Sequence, residues 1–244
     1  SEYYSQTGIS VYYEKNINII SNYIDRVPYS GMSIGWGWES SVNRSDLHKN
    51  IKVLNNRYGK TMNFLGDGAS IYTLGNLGGI EIAYNYFEDW EGSASSHGGI
   101  YNDAGSSNLI AHHNVIEAPR RMWVHMQIGY GVDNNRYFDN YSVTPNWDRA
   151  FTTENIDFTQ ATLLKKGEYP KEALDIMAGA GPEDGYKHLY DEALMPEWMK
   201  WRVKTSPMLF FNTTEFGVPK FGWIEAEDYI PGVNGETYYD ATDL

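Results

Sequence analysis

Acidic and histidine side chains are concentrated in a few short segments of this chain. Asp103 stands out among the acids because it directly follows a strand-like segment and has small neighbours that leave its carboxyl group accessible. His97 and His125 lie in nearby segments, and a surface histidine beside a carboxylate can act as a base, an acid or a substrate ligand. The alternative is that these histidines are ordinary polar surface residues. A pair of carboxyl groups could carry out general acid and base chemistry here.

Aromatic side chains form a second group with chemical potential. Trp36 and Trp38 alternate with glycine, so a strand at this point would place both indoles on one face. Such flat faces suit stacking on a sugar or another flat ligand, although they could equally cover the edge of the fold. Six residues are therefore predicted to bind substrate: Trp36, Trp38, Glu39, His97, Trp123 and His125.

The elements that must position these residues are short strands in a repeat. Residues 79–85 and 108–114 share a template: a small residue or Asn, apolar residues one and three places on, and Asn six places on. Apolar residues at every second position indicate strands with one buried face, and a regular repeat of this length indicates stacked coils. Helical repeats do not fit, because the units lack helical apolar spacing and contain Gly and Asn. The closing asparagines of five repeats are Asn22, Asn56, Asn85, Asn114 and Asn140.

From this repeat we predict an all-β fold, a right-handed parallel β-helix of the pectate-lyase type, with about five coils in residues 8–145. Asn suits the closing position because it tolerates a left-handed backbone, and its amide can bond the equivalent amide one coil away. Residues 31–34 should align with residues 68–71 and with the strand that ends at Ile100. Beyond residue 145, residues 170–177 and 185–194 are predicted as short helices that cover the open end of the solenoid.

Composition narrows the classes of partner. A net charge of −13 disfavours nucleic acid and anionic membranes, because phosphate contacts need clustered Lys and Arg. The chain has no cysteine, which rules out disulfides and thiol metal sites and fits an exported bacterial protein that is secreted, periplasmic or on the cell surface. No apolar run approaches the roughly 18 residues that span a bilayer. We expect a carbohydrate substrate and no cofactor, and allow only a structural Ca²⁺.

Three segments resemble β-helical glycoside hydrolases, with families 141 and 120 the nearest: residues 29–38, Asp-Gly-Ala-Ser-Ile-Tyr at 67–72, and Gly-Ile-Tyr-Asn-Asp-Ala-Gly-Ser-Ser at 99–107. The resemblance covers roughly residues 8–195. It implies action on polysaccharides or oligosaccharides, including xylan-type and fucose-containing ones, by paired carboxylates. Carried onto this chain, the matching acids are Asp67 and Asp103. Ala104 departs from the pattern, because many such relatives have a second acid there.

The C-terminal residues resemble a different family. Trp-Ile-Glu-Ala-Glu-Asp-Tyr at 223–229 is similar to the opening strand of carbohydrate-binding modules of families 6 and 35. The predicted organisation is therefore β-helix coils in 1–150, a helical cap and connecting segment in 151–195, a linker in 196–222 and the start of a truncated module in 223–244. Since the sequence also begins in a strand-like segment, we expect a piece of a longer, multidomain chain.

The spacing of Asp67 and Asp103 in the sequence does not decide whether they form a catalytic pair. On aligned strands Asp67 and Asp103 would lie about 20 Å apart at roughly 3.3 Å per residue. Either the chain before Gly68 curls over the strand, or one acid pairs with another carboxylate, for which the candidates are Glu39, Glu88, Asp89 and Glu91. Glycoside hydrolysis is the leading hypothesis. A polysaccharide lyase, with Arg120 and Arg121 as its only adjacent basic pair, and a non-catalytic binding or structural β-helix are the alternatives.

Overall fold

The computed structural model describes residues 7–35, 48–90, 92, 96–117, 122–127, 131–148 and 155–189. The chain divides into two compact units, residues 1–187 and 188–244. All of the strands belong to the first unit, and nearly all of the second lies outside the described residues. The predicted linker at 196–222 and the predicted module at 223–244 also fall outside them.

The described residues form eighteen short strands, numbered in chain order, in three parallel sheets of six strands each. Sheet one contains β1 (Ile9–Val11), β4 (Met32–Ile34), β7 (Ile71–Thr73), β10 (Ile100–Asn102), β13 (Val124–Met126) and β16 (Trp147–Asp148). Sheet two contains β2 (Asn18–Ile20), β5 (Ile51–Leu54), β8 (Asn76–Ala83), β11 (Ser107–His112), β14 (Arg136–Phe138) and β17 (Asp157–Phe158). Sheet three contains β3 (Tyr23–Ile24), β6 (Arg57–Tyr58), β9 (Tyr86–Phe87), β12 (Val115–Ile116), β15 (Tyr141–Ser142) and β18 (Thr162–Leu163).

One hydrophobic core receives side chains from all three sheets. Its fully buried members include Ile71 and Ile100 of sheet one, Val53 of sheet two, and Tyr58 and Phe87 of sheet three. The last two rings stack with their centroids 4.8 Å apart. Burying a large apolar side chain contributes roughly 1.5 to 3 kcal/mol. The alternation of apolar residues in the sequence therefore positions the strands by turning one face of each sheet inward.

The prediction of a right-handed parallel β-helix of the pectate-lyase type is wrong as stated. The strands are two to eight residues long and assemble as three parallel sheets in place of the predicted solenoid. The physical reason lies in the backbone: residues with positive φ, such as Ser21, Asn55 and His113, follow the strands of sheet two and end each ladder there. The fold is an all-β arrangement of three parallel sheets.

The closing asparagines form a buried ladder, which confirms the predicted bonding between equivalent amides. The Nδ2 group of Asn56 donates to Oδ1 of Asn85 at 3.1 Å, Asn85 donates to Asn114 at 2.9 Å, and Asn114 donates to Asn140 at 3.0 Å. The predicted left-handed backbone is wrong for these residues. Positive φ belongs instead to the opening residue of a repeat, such as Asn50, and to the residue before each closing asparagine.

The register differs from the prediction at both ends of the repeat. Met32, rather than Ile34, pairs with Ile71. A sixth set of strands, β16 to β18, follows residue 145, where the repeat was expected to end. Asn155, which precedes β17 and has a φ of 60°, matches the opening residue of the repeat template, but Ala161 stands where the other repeats have their closing asparagine. The template therefore fits the first half of the sixth repeat and fails in the second.

The C-terminal helix lies against the outer side of sheet three. Helix α1 spans Lys171–Gly179, close to the predicted 170–177, whereas the second predicted helix is a 3₁₀ helix at Asp184–Leu189. Ala173 and Ile176 pack with Tyr86 and Tyr141 of sheet three. This apolar patch draws α1 to the side of the sheet, so the prediction that it covers an open end is wrong. None of the helices in the described ranges is long and apolar enough to cross a membrane.

Candidate functional site

Polar side chains form a row on the outer face of sheet one. Parallel pairing places Tyr72, Tyr101 and His125 at the same level on neighbouring strands, and Asp148 holds the same register position on β16. Ile100, the neighbour of Tyr101, lies in the core, so strand alternation turns the row outward. The two tyrosine rings meet edge to face with centroids 5.3 Å apart.

Asp103 lies at the carboxyl end of β10, beside this row. Its Oδ2 accepts a hydrogen bond from the Tyr72 hydroxyl at 2.6 Å, and its Oδ1 accepts one from the backbone N–H of Ala104 at 2.7 Å. Asp103 is 9% exposed. A tight turn follows, in which Gly105 takes a φ of 76° that favours glycine. Both carboxylate oxygens of Asp103 are thus held as acceptors, which fixes the orientation of the group.

Asp67 approaches the same row from the segment that precedes β7. Its backbone is left-handed with a φ of 53°, and its carbonyl oxygen accepts a hydrogen bond from the Tyr29 hydroxyl at 2.7 Å. These two features bend the segment over the outer face of sheet one. The Asp67 side chain is 85% exposed, and its Oδ1 lies 3.6 Å from Nε2 of His97. This acid is therefore open to solvent on the side away from the sheet.

The neighbouring phenols of Tyr72 and Tyr101 bring the two acids to one row. The Tyr101 hydroxyl donates to Oδ1 of Asp67 at 3.4 Å, and the Tyr72 hydroxyl donates to Oδ2 of Asp103 at 2.6 Å. The centroids of the two tyrosine rings are only 5.3 Å apart. The separation of about 20 Å expected from aligned strands is therefore wrong. The chain before Gly68 curls over the strand, which is the first of the two alternatives that the sequence allowed.

The phenols of this site stay protonated well into the alkaline range. Burial raises the pKa of Tyr101, and the carboxylates of Asp103 and Asp67 raise it further. Burial and the bond to Asp103 likewise raise the pKa of Tyr72. Burial, together with the Asp67 carboxylate, raises the pKa of Tyr29 to about 12. A protonated phenol donates hydrogen bonds, so these groups support the carboxylates and are poorly suited to act as bases.

His97 and His125 stack on each other beside Tyr101. Their ring centroids are 4.5 Å apart with planes 20° from parallel, and each ring lies 4.6 Å from that of Tyr101. Gly98 permits this close packing of the chain, since a Cβ atom there would lie 1.9 Å from the carbonyl oxygen of Met122. The structure thus places His97 beside Asp67, and His125 against His97 and Tyr101.

Trp123 does not lie at this surface, so its predicted role in substrate binding is wrong. The indole is fully buried, stacks on Phe158 with centroids 5.6 Å apart and meets Tyr137 edge to face at 6.3 Å. Trp123 lies just before β13, where strand alternation does not fix the direction of a side chain. The large apolar area of the indole then favours the core.

The remaining predicted residues lie elsewhere or outside the described ranges. Glu88 forms an ion pair with Arg57 at 2.5 Å, and Asp89 pairs with Lys166. Neither acid is the partner of Asp103. The other predicted residues lie outside the described ranges: Trp36, Trp38, Glu39, Glu91, Arg120 and Arg121.

The sequence prediction missed the phenols and the amide that hold the site together. Tyr72 and Tyr101 contact the acids directly, and Oε1 of Gln127 contacts Nε2 of His125 at 3.2 Å and the Tyr101 hydroxyl at 3.5 Å. A signal for the tyrosines is present, because Ile-Tyr recurs in two equivalent strands. A tyrosine that follows a core isoleucine in a strand must face outward.

The charge of the site comes from its acids and histidines. Within the described ranges, no Lys or Arg forms an ion pair with Asp67 or Asp103. In the same part of the chain, no group of three or more His, Asp and Glu side chains is placed to hold a metal ion. The arrangement can donate a proton, accept a proton and bind hydroxyl groups.

The chain matches no protein-family model, and no curated protein matches it. A search of solved structures finds similarity to one named "Glycoside hydrolase", with 24% sequence identity and a TM-score of 0.46. The similarity covers 75% of this chain and 25% of that one, so the chain spans about a quarter of the length of the protein it matches. At this identity and TM-score, the likeness assigns no activity to the chain.

Proposed function

We propose that this chain is the catalytic part of a glycoside hydrolase that cleaves a polysaccharide or oligosaccharide with Asp67 and Asp103. The observation that carries the proposal is that both carboxyl groups bond adjacent phenols of one row, Asp67 with Tyr101 and Asp103 with Tyr72. Hydrolysis of a glycosidic bond needs two carboxyl groups, one that protonates the leaving oxygen and one that attacks or activates water. The resemblance of the segments that contain Asp67 and Asp103 to β-helical glycoside hydrolases supports the same assignment.

Hydrogen bonding separates the roles of the two acids. Asp103 accepts bonds through both oxygens, one of them from a backbone N–H that can only donate, so it is the carboxylate. Tyr101 has a single proton and two carboxyl neighbours. In the structure it donates to Oδ1 of Asp67. We assign Asp67 as the proton donor because its side chain is 85% exposed and can reach the leaving oxygen of a bound glycan, whereas Asp103 is nearly buried.

The stereochemistry of hydrolysis depends on the distance between the two carboxyl groups. Retaining enzymes have roughly 5 to 5.5 Å between their carboxyl groups and inverting enzymes roughly 6.5 to 9.5 Å. Because Asp67 and Asp103 bond adjacent phenols of one row, we favour the closer pair. We therefore predict that Asp103 is a nucleophile and that the first product keeps the anomeric configuration. Proton NMR of the anomeric signals early in the reaction checks this, and an inverted product would make Asp103 a general base.

A polysaccharide lyase is the runner-up reaction for this surface. A lyase abstracts a proton beside a uronate carboxylate and neutralises that carboxylate with Ca²⁺ or basic side chains. The two acids of the site would repel a uronate, and raised pKa values make Tyr72 and Tyr101 poor bases. Paired acids therefore fit hydrolysis better than elimination.

The test is a screen against xylan-type, fucose-containing and uronate-containing glycans with product analysis. Hydrolysis releases reducing ends, whereas elimination also creates the ultraviolet absorbance of an unsaturated uronate. Asp103→Asn and Asp67→Asn should each lower turnover by several orders of magnitude at an unchanged melting temperature, because the amide keeps the shape but loses the charge and the proton. Asp89→Asn removes an exposed acid that pairs with Lys166 and should keep full activity.

Three results would overturn the proposal. An absorbing product would establish the lyase, and full activity of both Asp103→Asn and Asp67→Asn would place the chemistry elsewhere. Binding of a glycan without cleavage across the whole panel would favour the third hypothesis, a non-catalytic protein.

A further inference from the structure

A concave surface lies on the outer face of sheet two, away from the acids of sheet one. This groove has a volume of about 860 Å³ and is bordered by residues of four neighbouring strands and the turns before them. None of the acids, phenols or histidines that surround Tyr101 on sheet one lines it. The groove is therefore a separate candidate site.

A glycine insertion creates the floor of the groove. Asn76 pairs with Ser107 and Ile80 pairs with Leu109, so β8 holds two more residues than β11 over the same stretch. Two glycines supply the extra length, and Gly79 has a φ of 97° with no atom within 4 Å of the position of a Cβ. A bulge of this kind disrupts the ladder locally and bends the strand. Because the bulged residues have no side chains, the surface is hollow at this point.

A row of asparagine amides forms one rim of the groove. The amide of Asn108 donates to Asn76 at 2.8 Å, Asn134 donates to Asn108, and Asn50 donates to Asn16 at 3.0 Å. A side-chain amide has two N–H donors and two acceptor lone pairs. Asn50 and Asn134, which are both exposed, can therefore present donors and acceptors to a ligand as well as to their neighbours.

The charges beside this rim alternate and cancel. Lys52 and Glu81 are directly paired on adjacent strands, and Arg136 and Asp157 are paired further along the same level. Nε of Arg136 lies 3.2 Å from Oδ2 of Asp157. Burial lowers the pKa of His112, which lines the groove, so its ring is uncharged at neutral pH. The groove is thus neutral on a chain whose net charge is −13.

We propose that this groove is a second, non-catalytic binding site for an extended, uncharged glycan chain that runs across the strands of sheet two. An amide stands at this rim on each of four neighbouring strands, which lie about 4.8 Å apart in a sheet, although on β8 it comes from Asn76 three residues before the equivalent position, which is Gly79. A ligand that repeats in the same direction, with hydroxyl groups that both donate and accept, matches such a surface, and an extended glycan has these properties. Cancelled charges favour a neutral polymer over a polyanion.

This proposal does not depend on the identity of the catalytic acids. Within the described ranges the groove lies on a sheet face, where the backbone groups of each strand bond neighbouring strands, so a peptide could not add to it as a strand. A second copy of the chain could cover the groove, and the experiment must distinguish that occupant.

The test uses the double variant Asn50→Gly/Asn134→Gly. Both residues have left-handed backbones, with φ of 53° and 51°, which glycine keeps without strain while the amides are lost. In gels that contain neutral xylan, xyloglucan, mannan or β-glucan, at least one polymer should retard the wild-type protein, and the variant should bind it about 10-fold or more weakly. Asn155→Gly has the same backbone geometry with a φ of 60°, lies outside the groove and should bind as wild type.

The outcomes separate this site from the catalytic one. The double variant should cleave a short soluble substrate at the wild-type rate, and Asp103→Asn should keep full retardation in the gel. Unchanged retardation of the double variant would overturn the proposal, as would the absence of retardation by every neutral polymer. Tighter binding of polygalacturonate would contradict the neutral ligand. A wild-type dimer that the double variant converts to a monomer, seen by sedimentation, would assign the groove to a second copy.

Discussion

Tyr101 bonds one of the two proposed catalytic acids and packs beside the phenol that bonds the other. Its hydroxyl donates to Asp67, and Tyr72 donates to Asp103, although the acids are separated by more than thirty residues and lie at opposite ends of their strands. The ring of Tyr101 also packs against His97 and His125. A change at Tyr101 should therefore act on several groups of the site at once.

Tyr101→Phe is expected to lower turnover by about 10- to 100-fold, the effect of removing one hydrogen bond to a charged group. The fold should persist because the ring and its packing remain. Steady-state kinetics and the melting temperature check this. Tyr86→Phe is the matched control, since Tyr86 also bonds a carboxylate, Glu117, but on sheet three. Tyr86→Phe should change the melting temperature and leave turnover unchanged. Equal turnover in wild type and Tyr101→Phe would show that the Tyr101 hydroxyl has no role in the reaction.

Alkaline pH is expected to destabilise the protein through the same phenols. The folded-state pKa of Tyr29 is about 12, and burial also raises those of Tyr72 and Tyr101, against about 10 in an unfolded chain. Raised values contribute stability that is complete below pH 10 and is lost as the pH rises through the folded-state pKa. Melting temperature measured against pH should fall above pH 10, with part of the phenolate absorbance appearing only on unfolding. Titration of every tyrosine near 10 in the folded protein would contradict this.

The catalytic roles of Asp103 and Asp67 stay predictions that rest on the resemblance and, for Asp103, on small neighbours that would leave it accessible. The expected accessibility is wrong, since Asp103 is 9% exposed. The approach of Asp67 to Tyr101 could not be predicted, because it depends on the left-handed backbone at Asp67 and on the bond from Tyr29 to its carbonyl oxygen. The alternation of apolar residues in strands does not predict changes of chain direction of this kind.

At the scale of elements, the buried asparagine ladder connects successive strands more specifically than apolar packing does. Asn85 donates to Val53 O at 2.9 Å and to Asn114, and its Oδ1 accepts the backbone N–H of Asn56 at 2.9 Å. One side chain thus satisfies groups in the repeat before it and in the repeat after it. Buried polar groups left without such partners cost about 1 to 3 kcal/mol each.

Asn85→Ala is accordingly expected to lower the free energy of unfolding by about 2 to 4 kcal/mol, because it leaves a buried carbonyl group and a buried N–H group without hydrogen-bond partners. Chemical denaturation measures this. Asn50→Gly removes an exposed amide of the other ladder without backbone strain and should cost less than about 1 kcal/mol. Equal losses in the two variants would mean that burial of the ladder is irrelevant to its strength.

Two features of the strands, the sixth set and the register of β4, were not predicted correctly from the sequence. The sixth set of strands was missed because Ala161 replaces a closing asparagine, and the first register was misaligned because Met32 and Ile34 are both apolar and two residues apart. Strand alternation fixes which face is buried but not which of two equivalent apolar positions pairs with the next strand. The closing asparagines align the strands of sheet two but do not determine the register between β4 and β7 of sheet one.

At the scale of the molecule, the three sheets share a core and differ in what their outer faces present. Sheet one presents the acids, the phenols and the histidines, sheet two presents the neutral groove, and sheet three packs against α1. The sequence predicted the all-β class and the parallel stacking of repeats. It did not predict the division into three sheets or the position of α1, because both depend on turns and surface patches that periodicity does not encode.

The pairing of Asp67 and Asp103 is the central claim, and a double-mutant cycle tests it most directly. The values of kcat/KM are measured for wild type, Asp67→Asn, Asp103→Asn and the double variant on the glycan that the screen identifies. Two groups that act as one unit give a double variant about as slow as the slower single variant, since removing either already abolishes the shared chemistry. That result is predicted here. Losses that multiply across the cycle would show that the two acids act independently and would contradict the pair.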